Sequence, residues 1–371
     1  MRITFILPYA GLLGGLRVVA IYAERLKARG HEVNIVSVPG PRKSLKQKVR
    51  SFIKGRGWPS DNGVGPTYFD GLDIRHDILD RHRAVTDGDV PDADVVVATW
   101  WETASWVAAL GASKGAKVYF VQDYGANPGQ PMERVAETWK LPLHKLSISK
   151  WLMSLIEEHC GDRDVTYVPN SVDLKLFSAP PRGKQPTPTI GLMYSTRPQK
   201  GLDLMLAALQ MVRRRVPGLH VVAYGPSAPT RAFPLPDDAT FYHRPADDTL
   251  ASIYASCDAW LFGSRLEGYG LPITEAMACR TPVIATPAGA APELLEPGGG
   301  VLLNDYEPGA MAAAIERIAA LSDEQWRHMS DAAYRTVTGY TWDDATDRFE
   351  AGLRRAVEKS TGRHASATET S

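Results

Sequence analysis

The sequence is poor in several things that would have set its class at once. It has three cysteines, Cys160, Cys257 and Cys279, an odd number without CxxC or other metal-ligand spacing. A disulfide scaffold and a structural zinc site are therefore excluded, and a reducing compartment is expected. It has no charge imbalance: 42 basic and 42 acidic side chains give a formal net charge of zero. A general attraction to nucleic acid is thereby excluded, so nucleic acid is not an expected partner and any electrostatic partner must be read from a local patch. It also lacks a long uncharged apolar run. The opening MRITFILPYAGLLGGLRVVAIYA is apolar after Arg2, but Pro8 and the glycines from Gly11 to Gly15 interrupt it short of the ~20 residues a membrane-spanning helix needs. No small-residue cleavage site is clear there, so the stretch reads as strand, loop and helix rather than as a signal peptide. The expectation is a soluble, cytoplasmic protein.

At 371 residues the chain exceeds what one hydrophobic core usually serves, so two domains are expected. Short β-rich apolar runs alternate with helical patterns: Ile3–Leu7, Glu32–Val38, Asp94–Thr99, Lys117–Gln122, Lys145–Ser149, Thr189–Tyr194, His220–Gly225, Thr240–His243 and Asp258–Ser264. Such alternation predicts parallel sheets covered on both faces, with ligands bound beyond the carboxyl ends of the strands.

The most informative stretch is residues 258–285, DAWLFGSRLEGYGLPITEAMACRTPVIA, in which a buried strand runs through a glycine-rich loop into a helix. Pro272 suits a first helical turn. Gly268 and Gly270 let the main chain from Glu267 to Leu271 approach a ligand closely, and the helix dipole favours an anion there. Glu267 before the turn and Glu275 one turn into the helix can reach different hydroxyls of one elongated phosphate-bearing ligand, such as a sugar nucleotide. The plainer reading makes Glu275 a dipole partner and Glu267 a solvated loop acid. Upstream, Arg197 and Lys200 stand at another strand-to-helix junction, where Arg as a planar fork and Lys as a point charge can balance a diphosphate. Gly11, Gly14 and Gly15 lie on the first strand-to-helix loop, with G-x-x-G-G spacing instead of the G-x-G-x-x-G of a dinucleotide site. Two more strand ends carry reactive-looking residues, Trp100-Trp101-Glu102 and Gln122-Asp123-Tyr124.

Glu267-Gly-Tyr269-Gly-Leu271-Pro-Ile-Thr-Glu275 resembles the E-x7-E signature of glycosyltransferase family 4, and Ala-Met-Ala-Cys-Arg-Thr-Pro-Val-Ile-Ala-Thr after it follows the same pattern. Arg280 stands where that family usually has glycine. Gly14-Gly15, Arg29-Gly30-His31-Glu32-Val33, Thr166–Phe177 and Tyr340–Thr346 are similar to further segments of the family. The resemblance implies a GT-B architecture, two Rossmann-like, doubly wound α/β domains facing across a cleft: an acceptor-side domain over 1–170, a nucleotide-sugar domain over 171–342, a helix over 343–359 that crosses back, and a disordered tail over 360–371. It implies retaining, metal-independent transfer of a hexose or deoxyhexose from a nucleoside diphosphate sugar, the donor substrate, without a cofactor. The acceptor would be a hydroxyl on a growing glycan or glycolipid, as in bacterial polysaccharide or glycoconjugate synthesis. In that reading Glu275 binds ribose, Glu267 with the backbone of Gly268, Tyr269, Gly270 and Leu271 binds the sugar, Arg197 and Lys200 hold the diphosphate, and Gly14-Gly15 border the donor. Asp123 takes the position of a family histidine. The alternatives are an epimerase or phosphorylase on the same fold, or a non-catalytic glycosyltransferase-like subunit.

Residues 42–56 carry seven basic side chains and no acid, with Leu45, Val49, Phe52 and Ile53 on one helical stripe. Such a stripe either packs onto its domain or lies on an anionic membrane surface, which would make the protein peripheral on the inner face of the cell membrane. The proline-rich Ala179–Thr189 reads as a semi-rigid linker, and Glu293 as a helix N-terminal acid.

Overall fold

The computed structural model describes residues 1–40, 66–124 and 130–368, with side chains to 362; the basic stripe of residues 42–56 lies outside the described residues. Two parallel sheets form. The first contains β1 (Arg2–Leu7), β2 (Glu32–Ser37), β3 (Arg75–Ile78), β4 (Val95–Ala98), β5 (Ala116–Val121), β6 (His144–Ser147) and β7 (Val165–Tyr167), ordered β3-β2-β1-β4-β5-β6-β7. The second contains β8 (Thr189–Met193), β9 (His220–Gly225), β10 (Thr240–His243), β11 (Ala259–Phe262), β12 (Val283–Ala285) and β13 (Gly300–Leu302), ordered β10-β9-β8-β11-β12-β13. Both orders reverse direction after the first strand of their domain, which puts a crevice between the carboxyl ends of β1 and β4 and another between those of β8 and β11. Central strands such as Val95–Ala98 and Ala259–Phe262 are buried at every position, as a sheet covered on both faces requires.

Helices α1 (Gly14–Ala28), α2 (Trp101–Ala109), α3 (Met132–Trp139) and α4 (Lys150–Cys160) serve the first sheet. The second is served by α5 (Leu202–Val212), α6 (Asp247–Ala255), α7 (Leu271–Ala278), α8 (Ala291–Leu295), α9 (Pro308–Ala320) and α10 (Asp323–Thr338). The last helix, α11 (Trp342–Thr368), packs on β4 to β7 and on α1. Its buried stripe Trp342, Ala345, Phe349, Leu353 and Ala356 recurs at helical spacing, and Phe349 stacks on Tyr22 with ring centroids 4.2 Å apart.

Four sequence expectations change. Gly14 and Gly15 are the first residues of α1 rather than loop, since a first turn has free N–H groups in any case and tolerates glycine. Strand β3 had no clear signal, because its pattern is only half-buried. The expected linker carries no regular element, yet it is strapped onto the second domain. Arg182 lies over Trp326 at 4.5 Å, and Lys184 Nζ donates to Ala319 O at 2.6 Å and to Leu321 O at 2.8 Å, satisfying the free carbonyls at the end of α9. The helix continues past Lys359 to Thr368, where a disordered tail was expected: Thr361 Oγ1 donates to Glu358 O at 2.9 Å and nothing in the run breaks a helix.

Arg280 keeps the left-handed turn for which glycine is usual. Its φ is 59°, and Arg280 N donates to Met277 O and Thr281 N to Ala276 O, both at 3.0 Å, closing α7 in a Schellman motif. A left-handed non-glycine residue costs about 1–2 kcal/mol. The side chain offsets this by an ion pair to Asp331 at 2.5 Å, a hydrogen bond to Ala179 O at 3.2 Å and a place 4.0 Å over the Tyr334 ring. Arg280→Ala keeps the backbone strain and loses all three ties, so denaturant unfolding should show a loss of about 1–3 kcal/mol. Arg280→Gly should be the milder change by about 1 kcal/mol, because it relieves the strain. An alanine variant as stable as the glycine one contradicts this account.

Candidate active site

The two crevices face each other, and the residues singled out from the sequence line the gap. From the first domain come the start of α1 and the end of β5; from the second come the loops after β8 and β11. Atom placements show the closeness: a Cβ on Gly14 would lie 3.8 Å from Leu271 Cδ1, and one on Gly15 3.6 Å from Gln122 Oε1. Gly268 is tighter still. A Cβ there would fall 1.9 Å from the backbone oxygen of Gln122 and 3.5 Å from Asp123 Cα, so only glycine lets this loop rest against the end of β5. Gly270 adopts φ 104° as the N-cap of α7, and Pro272 follows in the first turn.

Within this gap Lys200 Nζ meets Glu267 Oε2 at 2.5 Å, and Ser264 Oγ donates to the same oxygen at 3.1 Å. The two charges come from different loops, each just after a central strand of the second sheet. Arg197, exposed at the N-cap of the short turn Pro198–Lys200, faces Tyr9 of the opposite domain: burial raises the Tyr9 hydroxyl's pKa, and the charge of Arg197 opposes the rise. The loop is braced from behind by Arg265, which forks onto Asp203 at 2.8 and 2.7 Å, while its own N–H donates to Gln199 O at 2.7 Å. That fork holds the Asp203 carboxyl below the usual carboxylate range. Arg197, Gln199, Arg265 and Leu266 line an open pocket of about 440 Å³.

Glu275 lies deeper, 9% exposed. Tyr254 donates to its Oε2 at 2.8 Å, and Arg17 of the first domain stands 3.9 Å from Oε1. Burial pushes the Glu275 carboxyl up, while the tyrosine bond and the Arg17 charge pull it down. Tyr68 and Asp247 lie close enough to share this field. Glu275 is thus held by one hydrogen bond from its own domain and one longer ion pair from the other. Two acceptor oxygens at the gap, Gln122 Oε1 and Gln199 Oε1, are shielded from solvent and have no hydrogen-bond partner among the described residues.

Two candidates have structural duties in addition. The Tyr269 ring is buried in the first domain's core and its hydroxyl donates to Asn170 O at 2.6 Å, so only its backbone is available to a ligand. Glu293, in the first turn of α8, reaches across instead of only facing its own helix dipole: it accepts from Lys150 N at 3.1 Å and from Tyr167 Oη at 2.5 Å. Arg17, Tyr254, Ser264 and Arg265 were missed in the sequence. Arg17 follows Gly14-Gly15 within one turn and Ser264 precedes Glu267 by three residues, which were the available signals. Among the described residues no group of three or more His, Cys, Asp or Glu side chains is gathered to hold a metal ion, and no helix is long and apolar enough to cross a membrane.

Comparison with known proteins bears on the fold. A D-inositol 3-phosphate glycosyltransferase of Mycobacterium tuberculosis H37Rv is 33% identical over 175 residues, 43% of this chain. The chain spans only 36% of the length of such curated relatives. Among solved structures, the sucrose-phosphate synthase of Thermosynechococcus elongatus superposes with a TM-score of 0.69 at 16% identity, covering 96% of this chain and 98% of that one. Anabaena HepE, solved with UDP and glucose, gives 0.69 at 16% identity over 95% and 99%. A glycosyltransferase from Rickettsia africae gives 0.70 at 16% identity over 96% and 98%. The described residues therefore have the GT-B fold, and residues 178–336 match the family described as glycosyl transferases group 1.

Proposed function

We propose that this protein is a retaining glycosyltransferase that moves a hexose or deoxyhexose from a nucleoside diphosphate sugar to an acceptor hydroxyl. The observation that carries the reading is the Lys200–Glu267 pair at 2.5 Å, standing where the second sheet's crevice faces the first. An ammonium group has three N–H donors, so Lys200 can hold Glu267 and a phosphate oxygen together. Glu267 then accepts from sugar hydroxyls, Glu275 from the ribose, and the backbone from Gly268 to Leu271 closes over the sugar, with Arg197 on the outer phosphate. Transfer breaks the bond between the anomeric carbon and the donor phosphate oxygen while the acceptor oxygen bonds from the same face; the acceptor proton passes to the departing phosphate. Negative charge grows on the leaving group, and the fixed cation stabilises it in the absence of a metal. Asp123, whose Cα lies beside Gly268, is the residue assigned to face the developing positive charge on the sugar.

HepE binds UDP and glucose, so UDP sugars head the panel of donors to try. The test is a thermal-shift screen of nucleotide sugars, since a ligand at 100 times its dissociation constant stabilises by about 2.7 kcal/mol. It is followed by assay of transfer to glycan and glycolipid acceptors, with the anomeric configuration read by NMR. No shift with any nucleotide sugar, or an inverted product, would sink the reading. The basic stripe of residues 42–56 fits attachment to an anionic membrane surface bearing the acceptor, and co-sedimentation with anionic and neutral vesicles tests that separately.

Glu275→Gln keeps the shape and the Tyr254 contact but removes the charge. Affinity for the nucleoside diphosphate should fall by about 1–3 kcal/mol, because charge-assisted hydrogen bonds carry that much. Unchanged affinity by calorimetry would remove Glu275 from the ribose site.

A further inference from the structure

Glu275 ends a line of hydrogen bonds that joins three side chains from three different elements. Tyr254, on α6, donates from Oη to Glu275 Oε2 at 2.8 Å, and Tyr224 Oη, in β9, lies 2.9 Å from Tyr254 Oη. A phenol has a single proton to give. With that of Tyr254 given to the carboxylate, the proton between the two hydroxyls must come from Tyr224, so the line runs one way, from Tyr224 through Tyr254 to Glu275. Burial, and then the charge of Glu275, raises the pKa of both hydroxyls, so each stays protonated and able to donate at ordinary pH.

The rings leave these hydroxyls little freedom. Tyr254 is fully buried and meets Trp260 edge-on with ring centroids 4.5 Å apart, while Tyr224 stacks on the same indole at 5.5 Å with 23° between the planes. Trp260 is itself fully buried in β11. A hydroxyl placed in such surroundings costs free energy unless it is bonded, and the packing fixes the direction from which Tyr254 approaches Oε2. The other carboxylate oxygen, Oε1, is the one nearer the first domain, where Arg17 stands 3.9 Å away.

We propose that Tyr254 and Tyr224 are positioning residues for nucleoside binding: by holding Oε2 they turn Oε1 of Glu275 toward the first domain, where a ribose hydroxyl can reach it. The proposal rests on the reading of Glu275 as the ribose-binding carboxylate. Tyr254 acts through Glu275, and Tyr224 acts through Tyr254. A change of charge goes with the orientation. Burial pushes the Glu275 carboxyl up; the Tyr254 bond and then Arg17 oppose the rise, and Asp247 adds to it. Tyr224, Tyr68 and Cys279 lie within the same field. Loss of the Tyr254 hydroxyl removes one of the downward pulls, so the carboxyl should take up its proton at a higher pH. Affinity that needs the carboxylate should then be lost earlier as acid is added.

UDP, GDP, ADP and dTDP are titrated calorimetrically into the full chain, and the tightest binder serves as the probe. Tyr254→Phe should weaken its binding about fivefold or more and Tyr224→Phe about two- to threefold, while the double variant should bind no worse than Tyr254→Phe alone, because Tyr224 acts only through Tyr254. The acid limb of binding should move to higher pH in Tyr254→Phe. The probe's phosphates titrate alike in every sample and cancel in the comparison. A purely structural role would lower the melting temperature and leave the affinity and the acid limb in place. Tyr224→Phe, which keeps its ring on Trp260, gives a reading even where the deeper variant folds poorly. Glu275→Gln separates the two levels of the argument. If it weakens binding while Tyr254→Phe stays within about twofold of wild type, or if the two tyrosine losses multiply, the proposal falls and the ribose reading stands. If Glu275→Gln leaves the affinity unchanged, or none of the four diphosphates binds, the ribose reading falls and takes the proposal with it.

Discussion

Lys200→Ala should lower turnover about a hundredfold or more while the protein still folds, since removal of one preorganised electrostatic group from a developing charge commonly costs 10²–10³ in rate. Lys200 sits at the end of a short turn, 2.5 Å from Glu267, with 19% of its side chain exposed. In the proposed reaction, truncation would remove one of the two cations at the departing diphosphate and leave the Glu267 carboxylate, itself 17% exposed, without its counter-charge. Both effects strengthen as the anomeric bond breaks, so the loss should appear in kcat. Residues acting as a unit are not additive. Adding Glu267→Gln to Lys200→Ala should therefore lower turnover much less than Glu267→Gln does alone. Turnover within about threefold of wild type, with only KM raised, would limit Lys200 to ground-state binding.

The second large effect is expected from a single methyl group. In Gly268→Ala the new carbon would stand 1.9 Å from the Gln122 carbonyl oxygen and 3.0 Å from its carbon. The obstacle is backbone at the end of a buried strand, so no rotamer change relieves it. Either the loop lifts or the two domains part by about 1 Å, and a misplacement of that size can cost about a hundredfold in rate. kcat/KM should fall by about that factor with every charged group still present. Nucleoside diphosphate affinity should change less than threefold, because Lys200 and Glu275 both belong to the second domain. Activity within threefold of wild type would show that the loop does not rest on Gln122 during catalysis.

These two residues also mark what could be read along the chain. Gly268, Gly270, Pro272 and the two glutamates lie within nine residues of one another, so strand, loop and helix N-terminus were apparent from local patterns: an apolar run, residues without Cβ and a proline suited to a first turn. Strands β8, β9 and β11 were legible for the same reason, because a strand buried on both faces is a continuous apolar run. The half-buried Arg75–Ile78 has no such run and was passed over. Family resemblance supplied the roles of Arg197 and Lys200, which periodicity alone cannot assign.

The sequence by itself determined two α/β domains and the loops at which a phosphate-bearing ligand can be held, because helix and strand periods and turn residues are local properties of the chain. Only the tertiary structure decided which of those loops meet. Lys200 and Glu267 are 67 positions apart and are paired because β8 and β11 are hydrogen-bonded neighbours at the reversal of the sheet order. Arg17 approaches Glu275, and Glu293 reaches Lys150 and Tyr167, because α1, α4 and β7 of the first domain are brought against the second. Lys359 pairs with Asp164 because α11 returns across the first sheet. Each charge was visible in the sequence as a solvated side chain. Its partner was not, since burial of apolar faces fixes how the layers pack, and the packing then determines which distant charges face one another.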